Sequence, residues 1–231
     1  MTSYCGAPPD PADLMRSWNL DPILLLALGA GALVAWRSRH PKPALAAIGV
    51  LALAFVSPLC ALSVSLFSAR AVHHLLVVAV AAPLLAMAFT ARRPMLPGLA
   101  FVVATAVLWA WHLPSFYDAA LAGTALYWLM QATLLASAFW FWQAMFAAPP
   151  VTGVLMAILG MAQMGMLGAL LTFATTPLYA THIGTTLPWG LDQVVDQQLA
   201  GLVMWVPGIV PYALAVAVLA RRTWARAAAA A

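Results

Sequence analysis

The sequence predicts an all-α polytopic membrane protein, a bundle of seven transmembrane helices with its N-terminus outside and its C-terminus cytoplasmic. Three observations carry this. The 231 residues are 65% hydrophobic and 7% charged, with mean hydropathy +0.96, far from a soluble globular composition. Uncharged apolar runs long enough to cross about 30 Å of hydrocarbon recur along the chain. The cations are placed asymmetrically, which orients the bundle. Transmembrane strands do not fit, because the runs are continuously apolar rather than alternating. Helices also satisfy their own backbone groups, as lipid demands.

The expected spans are 20–36, 44–66, 71–90, 96–113, 124–146, 151–174 and 197–220. Each is bounded by chemistry that breaks a helix or resists lipid. Arg37-Ser38-Arg39-His40-Pro41-Lys42-Pro43 ends the first, and Arg92-Arg93-Pro94 with Pro97-Gly98 separates the third from the fourth. Pro114-Ser115 closes the fourth, Pro149-Pro150 divides the fifth from the sixth, and Thr175-Thr176-Pro177 ends the sixth. Proline cannot donate to the helix ladder. Residues 1–231 are expected to form a single integral membrane domain, with 1–19 a short extracytoplasmic arm and 221–231 a cytoplasmic tail. The arm carries Asp10 and Asp13 and no apolar core, so no cleaved signal peptide is expected there.

With the N-terminus outside, the inner segments hold Arg37, Arg39, Lys42, Arg92, Arg93, Arg221, Arg222 and Arg226, and the outer segments only Arg16 and Arg70. The positive-inside rule fixes that orientation. The net charge of +4 then belongs to a cytoplasmic rim and calls for no nucleic acid. Phosphate-binding glycine loops, zinc-protease motifs and nucleophile elbows are absent from the sequence, so no enzyme is expected.

The orientation puts His73, His74, His112, His182, Cys60, Asp118, Asp192 and Asp196 on the outer side. Imidazole, carboxylate and thiol are the usual transition-metal ligands, and polar groups at membrane depth tend to face the bundle interior and serve function. His73 and His74 point about 100° apart on a helix, so one of them supports rather than shares a site. Haem clamped by His74 and His112 is compatible with the same residues. Arg70 could neutralise Asp196 as a structural pair. Met156, Met161, Met164 and Met166 crowd the sixth span with Gln163; they read as packing or as soft contacts for Cu(I). Cys5 and Cys60 meet only if the arm folds back over the second helix, and a buried free Cys60 is the expectation.

The last span begins Asp196-Gln197-Gln198-Leu199-Ala200-Gly201-Leu202-Val203-Met204-Trp205-Val206-Pro207-Gly208. This run closely resembles the signature of the CtaG-type cytochrome c oxidase assembly factors, which are seven-span membrane proteins. Trp111-His112-Leu113-Pro114, Tyr117-Asp118-Ala119-Ala120-Leu121, Thr176-Pro177-Leu178-Tyr179, His74-Leu75-Leu76 and Ala82-Pro83-Leu84-Leu85 are similar in the same order, and Trp18 to Pro22 resembles the opening segment. The resemblance implies maturation of haem–copper oxidases in the bacterial plasma membrane, with copper delivered at the extracytoplasmic face. The implied partners are oxidase subunits, other copper chaperones and the lipid bilayer. It makes His74 and His112 direct metal ligands, with His73 and Asp196 as helper ligands or supports.

Two departures from the family matter. Its members usually carry histidine where Arg70 stands and glutamine where His73 stands, and a Glu-His pair where Met130-Gln131 stands. Either His73, Met130 and nearby methionines re-form a softer site, favouring Cu(I), or this chain has lost metal binding. A metal-free scaffold docking oxidase subunits and a copper transporter using the methionine-rich span are the competing readings.

Overall fold

The computed structural model describes residues 3–90 and 95–230. Among them it contains helices and no strand. They are α1 (Pro22–Trp36), α2 (Pro41–Phe55), α3 (Leu59–Ser65), α4 (Phe67–Leu75), a π-helical turn (Leu76–Ala81), α5 (Ala82–Ala88), α6 (Pro97–His112), α7 (Pro114–Ala122), α8 (Thr124–Ala147), α9 (Pro150–Phe173) and α10 (Gln193–Ala230). The Arg92-Arg93-Pro94 break lies outside the described residues.

Proline does more than end spans. α1, α2, α6, α7 and α9 each begin on one, where its missing N–H would have had no partner and its fixed φ suits a helix. Asp21 caps α1 by accepting from Ile23 N at 2.8 Å. Pro114 restarts a helix as well as closing one, so α6 and α7 meet at a 73° bend. The expected second span is likewise two pieces, α2 and α3, bent by 45° around Ser57-Pro58.

The π-helical turn has a cause in sequence. In the wider register the carbonyl of Val78 falls opposite Pro83, which has no N–H. That carbonyl accepts instead from the Trp142 indole at 2.9 Å, which ties the turn to α8.

Among the described residues, three helices can cross a membrane by length and composition: Phe67–Ala88, Pro150–Phe173 and Gln193–Arg221. Counting each bent pair as one span raises the number to five. Pro22–Trp36 is apolar but has 15 residues, and Thr124–Ala147 has the length but is diluted by Trp, Tyr and Gln. The last helix continues to Ala230 through the segment expected as a tail. Ile23, Leu26, Leu170 and Val206 are exposed on helix faces, an apolar surface that lipid would cover.

α9 and α10 pack closest. A Cβ on Gly168 would stand 2.8 Å from the Gly201 carbonyl, and one on Gly201 would stand 2.5 Å from the Gly168 carbonyl. Small residues that let backbones touch are the usual basis of helix association in lipid.

Candidate functional site

The polar residues converge where helix ends meet: the end of α3, the start of α4, the end of α6, the starts of α8 and α10, and the loop after α9. Asp196, in the first turn of α10, reaches across to the start of α4. Its carboxylate accepts from Phe67 N at 2.6 Å, from Ser68 N at 3.2 Å and from the Ser68 hydroxyl. Those are donors that a helix N-terminus leaves open. Asp196 is therefore engaged as a cap, and the Arg70–Asp196 pairing does not form: no nitrogen of the Arg70 guanidinium has a hydrogen-bond partner.

α4 carries Arg70, His73 and His74, all buried. His74 and His112 come together, with ring centroids 5.8 Å apart and planes at 77°. His112 Nδ1 lies 2.7 Å from the Leu108 carbonyl, so it carries the proton, and Nε2 is left with the lone pair. His74 Nε2 lies 3.5 Å from Gln131 Nε2, while its Nδ1 is buried without a partner. His73 diverges as helical geometry requires. Its ring stands edge-on to Phe55 at 4.7 Å, and both of its nitrogens are buried and unbonded.

The loop after α9 closes this end, and the glutamines of α10 hold it. Gln197 Oε1 accepts from Leu178 N at 2.8 Å, Gln197 Nε2 donates to the Thr176 carbonyl, Gln193 Nε2 to that of Tyr179, and Gln198 Nε2 to that of Ala174. Tyr179 then donates to the His112 carbonyl at 2.9 Å. His182 Nε2 meets the Tyr117 hydroxyl at 2.8 Å. Burial pushes the His182 imidazole down to about 4, with the Arg70 charge as a second cause. Asp118 accepts from Ala180 N, Thr181 N and the Thr181 hydroxyl, fixing the turn that presents His182.

The arm corrects an expectation. Cys60 is not free: it forms a disulfide with Cys5 across 55 residues of sequence. The arm folds back because Tyr4 stacks on Tyr127 at 5.0 Å, meets Trp128 edge-on and donates to Asp21 at 2.7 Å. Tyr127 also lies under Arg70, whose guanidinium carbon is 5.5 Å from the ring centroid.

Of the four residues expected to bind metal, His74 has His112 and His73 beside it, at 5.8 and 5.9 Å between ring centroids, while Asp196 is engaged at the start of α4. No group of three or more His, Cys, Asp or Glu side chains that could hold a metal occurs among the described residues. The methionines do not share a face: Met156 and Met164 are buried, whereas Met166 is exposed. Gln163 accepts from the Trp109 indole. The departure at Gln131 singled out in the sequence falls beside His74, whereas the bond between Tyr117 and His182 was missed, because nothing in their spacing signals it.

Residues 88–227, more than half of the chain, match the model of the cytochrome c oxidase caa3 assembly factor family. The chain belongs to that family. No curated protein and no solved structure matches. The family match includes His112, Gln131, the loop and Asp196, while Arg70, His73 and His74 precede it. The glutamine bonds give the assembly-factor run at 196–208 a structural reason, since they fasten the loop that covers His112.

Proposed function

We propose that this assembly factor carries Cu(I) for a cytochrome c oxidase between His74 and His112, without catalysis, at the extracytoplasmic face of the bacterial plasma membrane. The observation that carries the reading is the pair of adjacent imidazoles, with ring centroids 5.8 Å apart. His112 Nε2 keeps its lone pair because Nδ1 donates. His74 Nδ1, buried and unbonded, has one when Gln131 turns its open amide oxygen to accept from His74 Nε2–H. Imidazole suits copper ions, and few-ligand sites suit the soft monovalent state. Copper is cargo here. His73 and Asp196 serve as supports, Asp196 by holding the first turn of the helix that carries His74.

Seven spans with the N-terminus outside complete the reading. The arginine asymmetry supports that orientation, and so does the disulfide, because such bonds persist in oxidising compartments outside the cytoplasm. Cys5 lies 3.4 Å from the Tyr127 hydroxyl, one turn from Gln131 on α8, so the disulfide and the histidines share an end of the bundle.

The test is copper content of the purified protein in detergent after anaerobic Cu(I) loading and a chelator wash. Wild type is expected to retain about one equivalent and the His74→Ala/His112→Ala protein none, while still inserting. Equal copper in both proteins would remove the ligand assignment. A second reading, a metal-free scaffold for oxidase subunits, is favoured by one observation, the Arg70 cation on the same helix face as His74. Oxidase assembly that survives the double substitution would select it.

A further inference from the structure

Arg70 is fully buried, and its Nε, Nη1 and Nη2 all lack a hydrogen-bond partner. Guanidinium stays protonated in proteins, so this is a whole positive charge out of water. It faces the ring of Tyr127 and lies near the Tyr117 and Tyr127 hydroxyls, with a full hydrogen bond to neither. Tyr117, Tyr127, His73, His74 and His182 all lie within range of its charge, and none is a carboxylate. The nearest acids by chain position and fold are already used: Asp196 caps α4 and Asp118 holds the 180–182 turn. A buried charge left without a counter-ion is strongly unfavourable.

Other polar atoms around it are equally open. Both nitrogens of His73 and Nδ1 of His182 are buried and unbonded, and both imidazoles lie within range of its charge. A structural core satisfies such atoms. A cluster of them around a free guanidinium is what a polar ligand would satisfy.

We infer that Arg70 anchors a buried anion site that takes a small monoanion, a carboxylate in preference to a halide. The preference follows from the open donors. A guanidinium edge offers two parallel N–H groups that match the two oxygens of a carboxylate, whereas a spherical halide uses the charge alone. His73 can add an N–H from either ring nitrogen. The site is independent of copper, because none of its argument uses a metal.

The test uses the full chain in detergent, treated with chelator so that residual metal cannot hold the probe, in a buffer of bulky ions. The linewidth of ¹³C-formate is measured against matched empty micelles. Excess broadening that saturates near one equivalent is expected, displaced by unlabelled formate at lower concentration than by chloride. Arg70→Met should weaken formate binding at least tenfold. Arg70→Lys should keep chloride binding and lose the preference for formate, and it stands in should the methionine variant fail to fold. No excess broadening in wild type, or the same broadening in either variant with the same order of displacement, would overturn the site. Loss of copper retention alone would leave it standing.

Discussion

Asp196 and Phe67 are joined across 129 residues by a single hydrogen bond of 2.6 Å, from the Phe67 backbone N–H to the Asp196 carboxylate. The bond lets the last helix terminate the one that carries Arg70, His73 and His74. Asp196→Ala leaves buried donors at the start of α4 without partners. Losing a cap costs about 1–2 kcal/mol, and an unsatisfied buried N–H adds to it. We expect a fall in thermal midpoint for Asp196→Ala and a much smaller one for Asp196→Asn, which keeps an accepting oxygen. Equal midpoints for the two variants would mean that charge, not capping, is what Asp196 supplies.

The contact between α9 and α10 leaves no room for a side chain. Gly201→Ala should destabilise by about 1–3 kcal/mol, the usual range for overpacking, and Gly201→Leu should prevent stable accumulation. Gly165→Ala on the same helix pair is the control, because its Cβ would meet Trp205 only at 3.6 Å. Thermal unfolding of the three purified proteins in detergent decides it. Alanine is the better helix former, so a Gly165→Ala loss as large as that of Gly201→Ala would mean that the backbone approach at Gly201 is not what sets the cost.

The helices were legible in the sequence because lipid imposes length and apolarity, and because prolines sit at their starts. What the sequence could not supply is the meeting of helix ends. In a bilayer nearly every helix face is apolar, so pattern does not say which helix lies beside which. Hence Arg70 and Asp196, opposite in charge, could be read as a pair, yet α10 delivers Asp196 to the backbone of residues 67 and 68. His74 and His112 meet because α4 and α6 present them at the same end, a matter of bundle order. Cys5 and Cys60 misled for a related reason: the arm's return rests on Tyr4 finding Tyr127 and Trp128, contacts that no local motif announces.

The disulfide itself is testable. It closes a loop of 55 residues, and removing such a bond typically costs about 2–4 kcal/mol. Cys60→Ser should lower the thermal midpoint and release Cys5 to a thiol reagent, whereas wild type should take up reagent only after reduction. Labelling of unreduced wild type would count against the bond. In intact cells, a membrane-impermeant reagent applied from outside should label Cys5 of the variant, which checks the orientation as well.

His182 gives the structure a pH dependence of known sign. Burial holds its folded-state value at about 4 against an ordinary 6.5, so the folded protein refuses a proton that the unfolded chain accepts. Its contribution is therefore complete above pH 6.5, declines as pH falls from there toward 4, and is lost below it. One pKa unit is about 1.4 kcal/mol, so the effect is on the order of 3 kcal/mol. His182→Gln keeps a side chain able to meet the Tyr117 hydroxyl and cannot titrate. Between pH 7.5 and 4.5 the thermal midpoint of wild type should fall more steeply than that of the variant. Parallel curves would mean that His182 is solvated, and that the Tyr117 bond does not close this end of the bundle.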